Sequence, residues 1–385
     1  MREAMKDVME AMTGSPVEID DPVNARILAV SEDRIAGFLE DPFEEIARLS
    51  GVELDVVLAR LRAMLAAGTI RRIRQTLMAT NLAPGALVAW KVPAERLDEA
   101  FDYMATADPF SGHVVIRSTD GDTPGSVYRL WTTLKVPQGF SMTRHCDLLA
   151  TRVGAERYRV MPAKRLFALG VGHVRRKGME PGSRSDELGQ VLDTNVVTLS
   201  PLEWRVLEPL KREFTVGEVR RLPWTSRAAE AGVSLEGFLA VARTLNERGV
   251  IGRFSTFLEH VKPSADGTRV TRYNALFHWR VLPGREIDAG REVGRHHIMT
   301  HAYWREGGPE FANVNVMGVA HGTDKARVLE HKAAIDVHLA EAGIPVSYTN
   351  VFWGGRSEIK PSEISPFAYE AWCRKTGVDP ETMRG

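Results

Sequence analysis

The 385-residue chain reads as α+β, and as one structural unit written twice. Two observations carry this. A helix ending in a glycine runs into a short apolar–basic strand at two places, and each strand is followed by the same alternation of apolar runs and helical stretches.

The first match sets Ile70-Arg71-Arg72-Ile73-Arg74-Gln75-Thr76-Leu77 on Ile251-Gly252-Arg253-Phe254-Ser255-Thr256-Phe257-Leu258. Gly68 and Gly249 stand just before these strands as helix caps, because glycine takes the left-handed conformation without a Cβ penalty. Upstream, Pro42-Phe43 aligns with Pro223-Trp224, and Gly51-Val52 with Gly232-Val233. Leu54, Val57, Leu61, Met64 and Leu65 recur at helical spacing. A short helix, a tight turn at Gly51 or Gly232 and a longer helix therefore predict a helix-turn-helix in each repeat, with Thr69–Met78 as the wing of the first. The short helix of the second repeat is expected from Pro223 to about Ala231, and a further helix around Leu202–Lys211.

Downstream, Ala86–Val92 pairs with Ala275–Val281, and His113-Val114-Val115-Ile116-Arg117 with His301-Ala302-Tyr303-Trp304-Arg305. Tyr128–Leu134 pairs loosely with Ala312–Met317. Strands at Ala86–Val92, Val114–Arg117, Val127–Val136 and Arg157–Met161, with helices at Ala94–Ala105 and Phe140–Val153, give the order βαββαβ, the ferredoxin-like split motif. The same order is expected between Tyr273 and Trp353. The predicted organisation is winged helix-turn-helix at 22–80, ferredoxin-like domain at 81–168, linker at 169–199, second winged helix-turn-helix at 200–262, second ferredoxin-like domain at 263–353, and a tail at 354–385 packed over the surface.

Composition narrows the function classes. Lys+Arg and Asp+Glu are both 50, so the formal net charge is zero, whereas proteins that live on DNA usually carry a basic surplus. Glu53 and Asp55 open the longer helix of the first repeat, where phosphate- and base-contacting residues would sit. The two cysteines, Cys146 and Cys373, form no CxxC pair, which argues against a thiolate zinc site and a disulfide framework and fits a cytoplasmic protein. The first twenty residues have no continuous apolar core and do not read as a signal peptide. No apolar run approaches the ~20 residues of a membrane span.

His113-x-x-x-Arg117 followed by Tyr128-Arg129-Leu130-Trp131-Thr132-Thr133-Leu134 resembles one subunit type of the siroheme decarboxylase branch of the Lrp/AsnC superfamily. Thr300-His301-Ala302-Tyr303-Trp304-Arg305 followed by Asn313-Val314-Asn315-Val316-Met317-Gly318-Val319-Ala320-His321-Gly322 resembles the other type. Arg71-Arg72-Ile73 and Gly252-Arg253-Phe254 are similar to that family's Arg-Arg-Phe wing element. The resemblance spans roughly 35–165 and 200–353. The sequence departs from the family pattern at Arg129, where asparagine is usual, and at Val115, where tyrosine is usual.

The resemblance implies removal of CO2 from acetate side chains of a siroheme-type tetrapyrrole, as in heme or heme d1 biosynthesis. Arg72, Arg74, Arg117, Arg129, Arg253 and Arg305 are then the candidates to bind its carboxylates, since a guanidinium stays charged and grips a carboxylate bidentately. His301 and His113 are the candidate proton donors, with Tyr303 orienting a carboxylate or relaying a proton. The scheme requires no redox cofactor; the iron tetrapyrrole enters as substrate or ligand. His297 and His301, four apart, would share a helical face as metal ligands, but the region reads as a helix running into a strand; His297 is noted as a candidate heme-iron ligand, with no other metal expected. Trp90, Trp131 and Trp279 read as core. The alternatives are an Lrp/AsnC-type DNA-binding regulator and a tetrapyrrole carrier without catalysis. The acidic recognition helix and zero net charge favour the enzyme; a homodimer stays open.

Overall fold

The computed structural model describes residues 15–78, 81–169, 179–192, 196–258 and 273–385. Residues 170–178 and 193–195 of the expected linker lie outside them. In chain order the first repeat contains α1 (Pro22–Ser31), β1 (Ile35–Ala36), α2 (Pro42–Ser50), α3 (Leu54–Ala67), β2 (Ile70–Leu77), β3 (Gly85–Lys91), α4 (Leu97–Thr106), β4 (Ser111–Ser118), β5 (Leu130–Lys135), α5 (Met142–Val153), β6 (Arg157–Pro162) and β7 (Arg165–Leu169). The second contains α6 (Pro201–Lys211), α7 (Thr225–Glu230), α8 (Leu235–Glu247), β8 (Ile251–Leu258), β9 (Tyr273–Val281), α9 (Glu286–Arg295), β10 (Met299–Trp304), β11 (Val316–Gly322), α10 (Lys325–Glu341), β12 (Val346–Ile359) and α11 (Pro366–Lys375). These elements form two compact units.

One unit holds the helices α1–α3 and α6–α8 with the three-stranded sheet β1-β8-β2. Asp41 caps α2 through the Phe43 and Glu44 amides, Pro42 occupies its first turn, and Gly51 ends it at φ 64°. Pro223 does not open α7 as expected. It lies two residues ahead of the helix, after Leu222 at φ 51°, while buried Trp224 is anchored by its Nε1 donating to the Leu39 carbonyl at 2.9 Å. The strands that matched in sequence pair with each other: Ile70 faces Leu258 and Leu77 faces Ile251. Antiparallel pairing of equivalent strands puts an approximate two-fold axis through the sheet and satisfies an edge that each would otherwise expose. Fully buried Arg227 closes the end of α6, donating to the carbonyls of Pro209 at 2.9 Å and Arg212 at 2.7 Å. Its charge is balanced by Glu218 at 3.3 Å.

The other unit is a nine-stranded sheet in the order β6-β3-β5-β4-β12-β9-β11-β10-β7. Counted within each repeat, this is the order 4-1-3-2 twice, the ferredoxin-like arrangement, with β7 added at one edge. The first repeat packs α4 and α5 on one face, burying Trp90, Phe101, Phe110, Leu130 and Leu149; the second packs α9 and α10, burying Phe277, Trp279, Val293 and Ile335.

Two features depart from the predicted boundaries. β12 does not stop at Trp353 but runs on to Ile359. Its extension pairs with β4, from Trp353 opposite Ser118 to Ile359 opposite His113, with a bulge between Gly354 and Ser357. That pairing closes the free edge of β4 and fuses the two sheets. The tail then returns through α11, whose Tyr369, Trp372 and Cys373 complete the first repeat's core; Tyr369 Oη lies 2.8 Å from His145 Nδ1. The second departure is β7, five residues beside a glycine-rich stretch with no alternation to mark them as a strand.

β6 and β7 sit at opposite ends of the strand order, yet only Ala163 and Lys164 separate them in the chain. The Lys164 amide donates to the Trp304 carbonyl at 2.9 Å. The sheet therefore curls until its ends meet, and its helix-free face turns inward. Ala89, Val115, Trp131 and Met161 from the first repeat pack there with Leu276, Met317 and Phe352 from the second. The curl depends on β7 lying flat on α9: a Cβ at Gly290 would stand 2.1 Å from the Phe167 ring. Gly290→Ala is expected to destabilise the sheet unit by about 1–3 kcal/mol, the usual cost of overpacking, read as a lower urea midpoint with an unchanged slope.

Candidate active site

Strand periodicity places the predicted residues. On β4, Val114 and Ile116 pack under the helices and Val115 lies on the inner face, so His113 and Arg117, two residues to either side of Val115, also face inward. On β10, Ala302 lies in the helical core, and His301, Tyr303 and Arg305 take the opposite face. The two His-x-x-x-Arg segments thus face the interior of one curled sheet.

The β10 group is stacked. The His301 and Tyr303 rings are 6.0 Å apart and nearly parallel, at 12°. The Arg305 guanidinium lies 4.4 Å from the Tyr303 ring and donates through Nη1 to the Met161 carbonyl of β6. Burial raises the Tyr303 pKa against the opposing pull of Arg305, and lowers that of Arg305. On β4, His113 Nε2 lies 2.9 Å from Ser357 Oγ, a contact made by the bulged extension of β12. Arg117 is 4% exposed. Its Nη1 donates to the Phe352 carbonyl and its Nη2 to Asn274 Oδ1, both at 3.2 Å, while its Nε has no partner. Burial lowers its pKa to about 9.

Three further groups share this interior and were given no role from sequence. Lys135 stands on the inner face of β5, two residues beyond Thr133; burial, and then the charge of Arg305, bring its pKa to about 8. His278 is fully desolvated beside Trp131 and Phe352, which lowers its pKa to about 3 and keeps it neutral. Asn274 on β9 bridges Arg117 to His321 on β11. The inward alternation of β5, β9 and β11 is the signal that would have found them. Among the described residues no carboxylate pairs with Arg117, Lys135 or Arg305. Arg117 and Arg305 are buried and Lys135 is half-buried; cations so placed without counter-ions are costly, and such a cluster suits an anionic ligand.

The remaining candidates lie elsewhere. Arg129 is exposed, its Nε donating to the Arg117 carbonyl at 2.8 Å. His297 is exposed in the turn between α9 and β10, its Nδ1 3.0 Å from Ser183 Oγ; with His301 on a strand, the two share no helical face. Arg72, Arg74 and Arg253 belong to the helical unit. There Arg72 pairs with Glu213 at 3.1 Å, Arg74 lies 5.2 Å from the Phe257 ring with its pKa lowered by burial to about 10, and Arg253 Nε donates to Ser255 Oγ at 3.3 Å. Trp90, Trp131 and Trp279 are fully buried, each with its indole N–H bonded, to Thr132, the Tyr128 carbonyl and Asp336. A surface cleft of about 590 Å³ is lined by Asp147, Glu156, Arg157 and Glu310; its carboxylates suit a polyanion poorly. No helix among the described residues is long and apolar enough to cross a membrane.

Residues 83–168 match the family of the AsnC-like ligand binding domain. A siroheme decarboxylase from Hydrogenobacter thermophilus is 26% identical over 295 residues, 75% of this chain and 80% of that protein. Over that length the chain is similar to siroheme decarboxylase. A siroheme decarboxylase beta subunit from Desulfovibrio desulfuricans is 26% identical over 107 residues, 28% of this chain and 64% of that subunit. The crystal structure of the siroheme decarboxylase NirDL superposes with a TM-score of 0.64 at 20% identity, covering 91% of this chain and 97% of NirDL. NirDL in co-complex with an iron-uroporphyrin III analogue gives a TM-score of 0.63 at 21% identity, covering 92% of this chain and 97% of that one. The likeness extends across both repeats and shows a shared fold.

Proposed function

We propose that this chain is a tetrapyrrole decarboxylase that removes CO2 from acetate side chains of siroheme or a close relative. The observation that carries the reading is the inner face of the curled sheet, where Arg117, Lys135 and Arg305 have no carboxylate partner among the described residues and share the interior with His113, His301 and Tyr303. Homology to siroheme decarboxylase and the tetrapyrrole analogue bound by NirDL support it.

In this reading the cations hold the peripheral carboxylates of the substrate, with apolar neighbours such as Phe352 and Met317 beneath the ring. When the bond between the methylene carbon and the carboxyl carbon breaks, its electron pair moves into the macrocycle and CO2 leaves. A proton from His301, or from His113, then reaches the methylene carbon and leaves a methyl group. The electrons of the broken bond end in the new C–H bond, so no redox cofactor is called for. Tyr303 orients the carboxylate under Arg305. Arg129 is proposed at the outer edge; Arg72, Arg74 and Arg253, which belong to the helical unit, and His297 are given no role here. The test is incubation of the protein with siroheme without oxygen or added cofactor. One CO2 released per methyl formed supports the reading, and neither product nor a change in the siroheme absorption spectrum overturns it.

A further inference from the structure

A chain of hydrogen bonds runs across the inner face from Arg117 to His301. Arg117 Nη2 lies 3.2 Å from Asn274 Oδ1, and Asn274 Nδ2 3.2 Å from His321 Nε2. His321 Nδ1 lies 3.4 Å from Thr300 Oγ1, Thr300 Oγ1 3.0 Å from the Val319 carbonyl, and His301 Nδ1 3.1 Å from Thr300 Oγ1. The Arg117 link reaches across β12 at Gly354, which faces both Arg117 and Asn274, and every other link joins neighbouring strands or adjacent residues, so the chain is built into the register, with Asn274 facing His321.

The polarity of this chain is determined from one end. A guanidinium only donates, so Asn274 receives through Oδ1 and must donate through Nδ2. His321 Nε2 is then the acceptor and carries no proton, which places the proton of the neutral ring on Nδ1. The Thr300 hydroxyl donates to the Val319 carbonyl, leaving its oxygen as an acceptor only. Both histidine Nδ1 atoms that reach it therefore donate. We infer that Asn274, His321 and Thr300 are positioning residues that hold His301 as its Nδ1–H tautomer, leaving Nε2 as the atom that gains and loses a proton. The inference deepens the proposed decarboxylase reading, in which that proton goes to substrate. A second proton on His321 Nε2 would meet the Asn274 amide N–H. None of the three touches the reacting carbon; they act through His301, as outer partners orient other working histidines.

The test separates tautomer from activity. Long-range 15N–1H correlation spectra of the full chain, labelled at histidine, should show His301 with a protonated Nδ1 and a bare Nε2. Thr300→Val removes the acceptor at nearly constant volume and should produce a mixed tautomer signal; Thr300→Ser restores the oxygen and should restore the signal. With siroheme as substrate, Thr300→Val should lower kcat about five- to tenfold, the ratio set by losing one ordinary hydrogen bond, with KM unchanged and Thr300→Ser near wild type. A His301 that is Nε2-protonated in the wild type, or unaffected by Thr300→Val, overturns the inference whatever the activity. A spectrum as expected in a protein that does not turn siroheme over leaves the positioning chain standing and removes the decarboxylase reading.

Discussion

His301→Ala is expected to slow decarboxylation by about 10²–10⁴-fold, the usual contribution of a positioned general acid, while the tetrapyrrole still binds. The ring lies against Tyr303 and is tied through Thr300; neither contact supplies a carboxylate-binding charge, so its removal leaves Arg117, Lys135 and Arg305 in place. Turnover by product analysis and affinity by absorption titration separate the two effects. Loss of binding with turnover of the bound fraction intact would assign His301 to recognition. Unchanged turnover would pass the proton to His113, which stands on the corresponding strand of the first repeat and is held by Ser357.

Arg117→Met is expected to move stability and affinity in opposite directions. The guanidinium is 4% exposed, has two acceptors at 3.2 Å, and leaves Nε unpaired. A cation so placed is a burden on the unliganded fold, and a methionine of similar length relieves it; replacing buried ionic groups by apolar ones often stabilises by about 1–4 kcal/mol. Against a bound carboxylate the same guanidinium makes a charge-assisted bond worth about 1.5–3 kcal/mol. Siroheme affinity should therefore fall roughly 10–150-fold while the urea midpoint rises. A variant that loses stability and keeps its affinity would make Arg117 a structural residue that ties the Phe352 carbonyl to Asn274.

The fold was legible because its signals are local. Glycines after helices and runs of period 2 or 3.6 repeat at matching places, and they recover the helices and strands of the two βαββαβ repeats. β7 and the extension of β12 escaped because they are edge elements: what makes Arg165–Leu169 a strand is the open side of β10, which no local pattern announces. Pro223 was misplaced because Trp224 is drawn into the core, a tertiary effect. His113, Arg117, His301, Tyr303 and Arg305 could be named through the family resemblance of the segments that carry them, and the strands of the structure put each set on one face. That the two faces would meet was not visible, since it follows from the two-residue step between β6 and β7. Lys135, Asn274 and His321 alternate inward on their own strands, but that they share one interior with the two sets follows from that meeting.

The most direct measurement of the central claim is turnover of siroheme in D2O without oxygen, followed by mass spectrometry of the tetrapyrrole. If the carbanion left by CO2 is protonated in the site, each lost carboxyl group is replaced by one deuterium, and the product carries as many deuterons as CO2 molecules released. An unchanged tetrapyrrole, or a product that has lost CO2 without taking up deuterium, would contradict the account.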